Sequence, residues 1–468
     1  MSRPEACLIQ PSNRLFLVFL AAALFALTAV LQAADTVVDS VVDTDDKTPP
    51  RQLADYVARP EPEFGWKYVG KQTTERGEIH QLTLVSQTWQ NIRWEHDFIV
   101  CRPPKIDYPS HMLLFVTGGR NGRPPKGLEV EIGLALAQYC GAPVALLFQV
   151  PNQPLMGNRV EDDLISETWL KYLETGDATW PLLFPMVKST VKAMDALQDF
   201  SQTNWQQPVE GFVITGASKR GWTSWLAPAV DQRILGTAPL VIDTLNFRAQ
   251  AAHQLATWGR FSEQIEDYTR KGLVRGPGTP ESERETQLRT MMDPFSYRNQ
   301  ITVPKLLVNG TNDPYWVVDA MSLYWNDLQG PKYILNVANA GHSLDGGRTA
   351  VIRNLGAFFR HVVQGKSLPE LDWTFQNGTD RQVLIVRTNT EPDSGLFWSA
   401  KSGGKDFRGA YWRSAPLATH NIEATPSGTA FRGEVFREDG QNTAAFGELY
   451  FTIDGLEYSL TTLIECCR

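Results

Sequence analysis

Hydrophobic positions along the chain follow two rhythms, and the change between them falls near residue 367. Before it, apolar runs of strand length alternate with longer stretches of helical period. Strand-like runs at 67–71, 82–85 and 98–101 precede Met112-Leu113-Leu114-Phe115-Val116, a helical run at 130–138 and an apolar strand at 144–150. A long helical stretch from Trp180 to Phe200 then leads into Gly211-Phe212-Val213-Ile214-Thr215. Such alternation predicts a mostly parallel sheet with helices on its faces. Residues 244–302 are largely helical, with a break at Gly276-Pro277-Gly278, and are expected to form a cap between the strand at 211–215 and that at 303–310. Beyond Ser367, short alternating runs at 381–387, 395–400, 429–436 and 446–453 are separated by Gly, Pro, Asn and Asp, which predicts an antiparallel β-sandwich over 367–468. Its Trp373, Trp398 and Trp412 are expected as core, a carbohydrate platform being the alternative.

The N-terminus is patterned differently. Arg3 and Arg14 precede an apolar run from Leu15 to Leu31, and Gln32-Ala33-Ala34-Asp35 offers small residues to a signal peptidase. Residues 1–33 are therefore expected to be a signal peptide. An uncleaved anchor is the alternative, although the run falls a little short of the ~20 residues of a membrane span. Residues 34–50 are acidic, end in Pro49-Pro50 and read as a flexible leader, so the first globular domain is expected to cover 51–366. With 468 residues, 42% hydrophobic and 21% charged, the chain is globular in composition. Loss of Arg3, Glu5 and Arg14 with the signal takes the formal charge from −8 to −9. An acidic exported protein, periplasmic or extracellular, is a poor nucleic-acid binder, and no stable membrane insertion is expected after cleavage. Export also favours disulfides. Cys101, Cys140, Cys466 and Cys467 allow three complete pairings, of which Cys101–Cys140 would tie the strand at 98–100 to the end of the next helix. No CxxC or histidine cluster suggests a metal site, and no P-loop or dinucleotide fingerprint suggests a cofactor.

Candidate chemistry begins at Gly216-Ala217-Ser218-Lys219-Arg220-Gly221. An apolar strand precedes this run and an apolar-faced helix follows it, so Ser218 sits on a sharp strand-to-helix turn. The run is nearly the G-x-S-x-G nucleophile elbow of α/β-hydrolases, with Arg220 in the second glycine's place. A serine merely capping a helix would look similar. A nucleophilic serine needs a base and an acid, which follow in the order Ser, Asp or Glu, His. Asp313 lies just past the strand 303–310, and His342 follows the strand 332–337 on a glycine-bearing loop. Both are at carboxyl ends of strands, where open α/β sheets build their sites. Among the seven histidines only His253 competes as a base, and it lacks the strand-end setting. The N–H of Lys219 is placed to hold an oxyanion, with Gly119 or Arg120, after the strand 112–116, as the second donor. Arg220, Trp258 and Trp316 are candidate pocket residues. Tyr268 and Tyr297 are weaker ones, because aromatics at helical spacing are more often core. The acidic run Glu161-Asp162-Asp163 reads most simply as the first turn of a helix.

Longer runs carry a specific resemblance. They include Leu53-Ala54-Asp55-Tyr56-Val57, Ser86-Gln87-Thr88-Trp89, Val150-Pro151-Asn152-Gln153-Pro154-Leu155, Trp180-Pro181 with Pro185-Met186-Val187-Lys188, and Ala193-Met194-Asp195-Ala196. Further on come Gly216 to Thr223, Val241-Ile242-Asp243 with Leu245-Asn246, and Asn309-Gly310-Thr311-Asn312-Asp313. Over about residues 50–465 the chain resembles the PhoPQ-activated pathogenicity-related protein family. The resemblance makes Arg220 part of the family's own elbow and suggests that the Glu161 segment shapes the pocket. It implies an α/β-hydrolase fold with a mostly parallel central sheet, a helical cap insertion and a C-terminal all-β sandwich. It further implies a hydrolase whose substrate is a small-molecule or peptide acyl compound. The cap and β-domain are similar to those of Xaa-Pro dipeptidyl peptidases, and the Ser-Lys-Arg-Gly elbow is similar to that of glucuronoyl esterases, so peptidase and esterase activities both stand. A secreted signalling protein that keeps the fold without turnover is the rival expectation.

Overall fold

The computed structural model describes residues 48–125, 127–420 and 429–467. The expected signal peptide and nearly all of the acidic leader lie outside these residues. Strands β1 (Gly65–Thr74), β2 (Gly77–Trp89), β3 (Ile92–Arg102), β4 (His111–Val116), β5 (Val144–Leu147), β6 (Gly211–Ala217), β7 (Ile234–Leu240), β8 (Lys305–Gly310) and β9 (Lys332–Val337) form one sheet. Its order is β1-β2-β3-β5-β4-β6-β7-β8-β9. The first three strands and β5 pair antiparallel, whereas β4 through β9 run parallel with β5. Helices α1 (Gln52–Val57), α2 (Gly127–Cys140), α3 (Glu161–Thr175), α4 (Leu183–Trp205), α5 (Lys219–Leu226), α6 (Phe247–Trp258), α7 (Glu266–Thr269), α8 (Glu283–Met292) and α9 (Arg348–Val363) complete this part. It is an α/β-hydrolase-like fold.

Both faces of the sheet are buried, which is why its parallel strands read as continuous apolar runs. Successive residues of β4 feed opposite cores. Met112, Leu114 and Val116 join a cluster with Phe184, Phe200 and Trp225, while Leu113 joins one with Leu136, Phe358 and Phe359. The second core also takes in Leu384, Phe397 and Leu449 from beyond residue 367. Those belong to β10 (Leu371–Asn377), β11 (Arg381–Thr388), β12 (Ser394–Ser402), β13 (Arg413–Pro416), β14 (Ala418–His420), β15 (Thr429–Phe436), β16 (Asn442–Ile453), β17 (Leu456–Thr461) and β18 (Glu465–Cys467). They make two antiparallel sheets, β10-β11-β15-β14 and β13-β12-β16-β17 with β18 beside β16. The sheets face one another so closely that a Cβ at Gly433 would lie 2.4 Å from the Phe397 ring. Asn336 of β9 donates to Thr461 Oγ1 at 3.2 Å and to the Thr462 carbonyl at 2.9 Å, welding this part to the parallel sheet. Trp412 is buried, and Trp398 donates to Glu448.

The structure adds one strand and corrects one expectation. Strand β7, not singled out from the sequence, intervenes between β6 and the cap. Gly236 and Pro239 interrupt its apolar run, and it pairs with β8 only through Thr237 with Lys305 and Leu240 with Val308, on either side of the proline that has no N–H to give. The Cys101–Cys140 link does not form, since both residues are buried free thiols. Cys101 faces the N-terminal half of α2, with Sγ 4.0 Å from the Val130 carbonyl, whereas Cys140 is the helix's last residue. Ten residues of helix separate those points by about 15 Å at the usual rise, beyond the reach of a disulfide.

Candidate active site

Strand β6 ends at Ala217 and α5 begins at Lys219, so Ser218 alone makes the turn, with φ 58° and ψ −124°. A serine held in this sparsely populated region stores strain of the kind that exposes a nucleophile. The turn is possible because Gly221 presses against the strand: a Cβ there would lie 2.7 Å from Ile242 Cγ2 and 2.9 Å from the Gly216 carbonyl. The Ser218 hydroxyl makes no capping bond to α5. It points to His342 instead.

His342 Nε2 lies 3.0 Å from Ser218 Oγ, and His342 Nδ1 lies 2.8 Å from Asp313 Oδ2. An ionised carboxylate only accepts, so Nδ1 carries the proton and Nε2 is left to accept from the serine. Asp313 also accepts the Tyr315 N–H at 2.9 Å, and the Tyr315 ring lies against the imidazole with centroids 4.3 Å apart. The Asp313 side chain is 3% exposed and that of His342 24%. The acid is thus sealed while the histidine reaches the surface. His253, the competing base, pairs with Asp319 at 2.6 Å.

Strands β4 and β6 are parallel neighbours with Val116 opposite Gly216, so the loop after β4 emerges beside the elbow. Gly119 in that loop has φ 133°, a glycine conformation. The Lys219 N–H is the first of α5 and has no acceptor within the helix. The sequence singled out the Lys219 N–H and, from this loop, that of Gly119 or Arg120 as donors.

The acidic run does more than begin a helix. Glu161, the first residue of α3, receives Arg220 through two bonds of 2.8 Å, and Gln153 Nε2 donates to it at 2.6 Å. Arg220 Nε also donates to the Val150 carbonyl at 2.5 Å. A Cβ at Gly118 would lie 2.6 Å from the guanidinium, so that glycine makes room for it. Asp162 holds Lys219 Nζ at 2.9 Å and accepts from Tyr268 at 3.0 Å. Burial pushes the Glu161 carboxyl up, but the Arg220 charge and hydrogen bonds, then Lys219 and Gln153, outweigh it and bring it down to about 2. Both cations that follow the serine are therefore bound to α3. The sequence shows a basic pair inside an apolar elbow and an acidic triplet elsewhere, but not that the two meet.

The other candidate pocket residues are dispersed. Trp258 lies under the Arg408 guanidinium, 4.0 Å from the ring centroid. Tyr297 is buried and donates to the Met291 carbonyl, a core role. Trp316 lines a small cavity behind Asp313, together with Asp243, Asp319 and Asn336. Asp243 accepts from Tyr324 at 2.6 Å, and burial, with Asp313 and Asp319 nearby, raises its carboxyl to about 7. A carboxyl that keeps its proton longer when folded costs stability as pH rises from its ordinary range, near 4, towards 7. Asp243→Asn is expected to remove that slope, making the variant more stable than wild type at pH 8 by on the order of a few kcal/mol and indistinguishable near pH 4. Melting temperatures across this range check it; equal pH slopes would refute it.

Residues 53–408 match the family described as PhoPQ-activated pathogenicity-related protein. The chain is also 31% identical over 382 residues to autocrine proliferation repressor protein A of Dictyostelium discoideum, covering 76% of each. It belongs to the PhoPQ-activated pathogenicity-related protein family. Among solved structures, this family member is similar to acetyl xylan esterase 1 of Thermoanaerobacterium sp., at 16% identity and TM-score 0.45, over 67% of this chain and 95% of that one. It is similar also to the acylaminoacyl peptidase of Pyrococcus horikoshii, at 15% identity and TM-score 0.39, over 67% and 43%.

Proposed function

We propose that the protein is an exported serine hydrolase that transfers acyl groups to water. The observation that carries this reading is the unbroken path from Ser218 Oγ through His342 to buried Asp313, at 3.0 and 2.8 Å, on a strained elbow. Ser218 Oγ attacks the substrate carbonyl as His342 Nε2 takes its proton, and the resulting imidazolium is held by Asp313. The oxyanion is received by the Lys219 N–H and a donor near Gly119. Collapse of the tetrahedral intermediate expels the amine or alcohol, which takes the proton from His342; water then repeats the sequence on the acyl-enzyme. Peptide amides and esters of small acids both suit this chemistry, and the apolar run at 15–31 with its small-residue site supports export to the periplasm or beyond.

A fluorophosphonate probe tests the reading directly. Wild type is expected to label at one serine and Ser218→Ala not at all; equal weak reaction of both would overturn catalysis. The second reading, a secreted signalling protein, is favoured by the repressor relationship. It predicts biological activity that survives Ser218→Ala unchanged.

A further inference from the structure

The loops bearing Asp313 and His342 do not stand free. Asn312 Nδ2 donates to the carbonyls of Ala410 at 2.7 Å and Arg408 at 3.1 Å, both in the segment between β12 and β13. Asn339 clasps the same segment reciprocally: its Nδ2 donates to the Trp412 carbonyl at 2.9 Å and its Oδ1 accepts the Trp412 N–H at 2.8 Å. Thr311 joins the two asparagines, donating to Asn312 Oδ1 at 2.8 Å and accepting the Asn339 N–H at 2.9 Å. The segment itself is anchored by two buried aromatic residues. Phe407 and Trp412 are 2% and 1% exposed and pack in a cluster that also touches Val318 and Ala338. Arg408 is fixed by Asp406 at 2.6 Å and reaches Glu263 of the cap at 3.3 Å while covering Trp258.

From this arrangement we infer that the 406–412 segment of the C-terminal β-part is a brace for the acid and the base, with Asn312 and Asn339 as its positioning residues. This rests on the hydrolase reading for its catalytic consequence, though not for its structural one. One asparagine immediately precedes Asp313 and the other lies three residues before His342, so each clasp fixes a loop close to where its functional side chain departs. Neither asparagine is placed to touch the acyl group. Their effect is to hold the 2.8 Å Asp313–His342 bond and the 3.0 Å approach to Ser218. A misplacement of about 1 Å in such a path costs up to about 100-fold in rate.

Asn312→Ala and Asn339→Gly, made singly and together, test the brace. Glycine is chosen at 339 because the residue has φ 59°, so backbone strain is not added to the loss of the clasp. Amide exchange over 311–316 and 338–344 is expected to quicken about tenfold or more while 216–222 stays protected. The fluorophosphonate labelling rate and kcat on a small ester should fall about 10- to 100-fold, with KM within about threefold. Unchanged exchange in the double variant overturns the inference whether or not the protein turns over. Faster exchange with wild-type labelling and kcat overturns the positioning role while leaving the hydrolase reading intact. That reading stands or falls on wild type against Ser218→Ala alone.

Discussion

Asp313→Asn is expected to lower kcat about 10,000-fold while KM and the melting temperature stay near wild type. The carboxylate accepts the Nδ1 proton of His342 at 2.8 Å, which keeps Nε2 bare towards Ser218. An asparagine turned to accept the Tyr315 N–H through its oxygen presents NH2 to the imidazole. The ring must then carry its proton on Nε2, where it cannot receive one from the serine. His342→Ala should be at least as severe, and the double variant no worse than His342→Ala alone, because the residues act as one unit. Steady-state hydrolysis of an activated ester measures this; an Asp313→Asn variant within tenfold of wild type would refute the proposed relay.

What could be read from the sequence follows from how local each signal is. Ser218, Asp313 and His342 each follow a strand that is mostly apolar, so a one-dimensional pattern placed them at one edge of a sheet. The β-sandwich was legible for the same reason, its period-two runs being separated by turn residues. Strand β7 was not, because a glycine and a proline erase its pattern and only the flanking strands keep it in the sheet. The α3 carboxylates were visible as charges but not as partners of the elbow: nothing in the spacing from 161 to 220 shows that Gly118 leaves a slot for a guanidinium. Asn312 and Asn339 look like ordinary turn residues until the 406–412 segment is in place beside them. Cys101 and Cys140 invited pairing because helix length, rather than composition, keeps them apart.

Glu161→Ala is expected to destabilise the protein by about 1–3 kcal/mol, because it strips a partner from a buried arginine, less than for a fully buried pair since the Glu161 side chain is 38% exposed. Against the about 5–15 kcal/mol that holds a typical domain folded, a loss of this size is measurable. Arg220 has little freedom to escape: its side chain is 10% exposed, walled by Gly118 and bonded to the Val150 carbonyl. Replacing the pair together, as Glu161→Ala with Arg220→Met, should recover much of the loss, since no unpaired charge then remains buried. The sign with pH follows from the carboxyl's folded value of about 2 against 4.5 unfolded. A lowered carboxyl contributes stability that is fully present above its unfolded value and is lost as pH falls from about 4.5 to about 2. With the Glu161 side chain 38% exposed, solvent screening holds this contribution to on the order of 1 kcal/mol. Urea unfolding at pH 7 and pH 3 should therefore show wild type losing stability on acidification and Glu161→Ala losing correspondingly less. Because Arg220 follows Ser218 by only two residues, the surviving folded fraction of Glu161→Ala should also label more slowly with fluorophosphonate, which a purely distant stabilising pair would not cause. Wild-type stability at pH 7 together with wild-type labelling would mean that the α3 clamp does not hold the elbow.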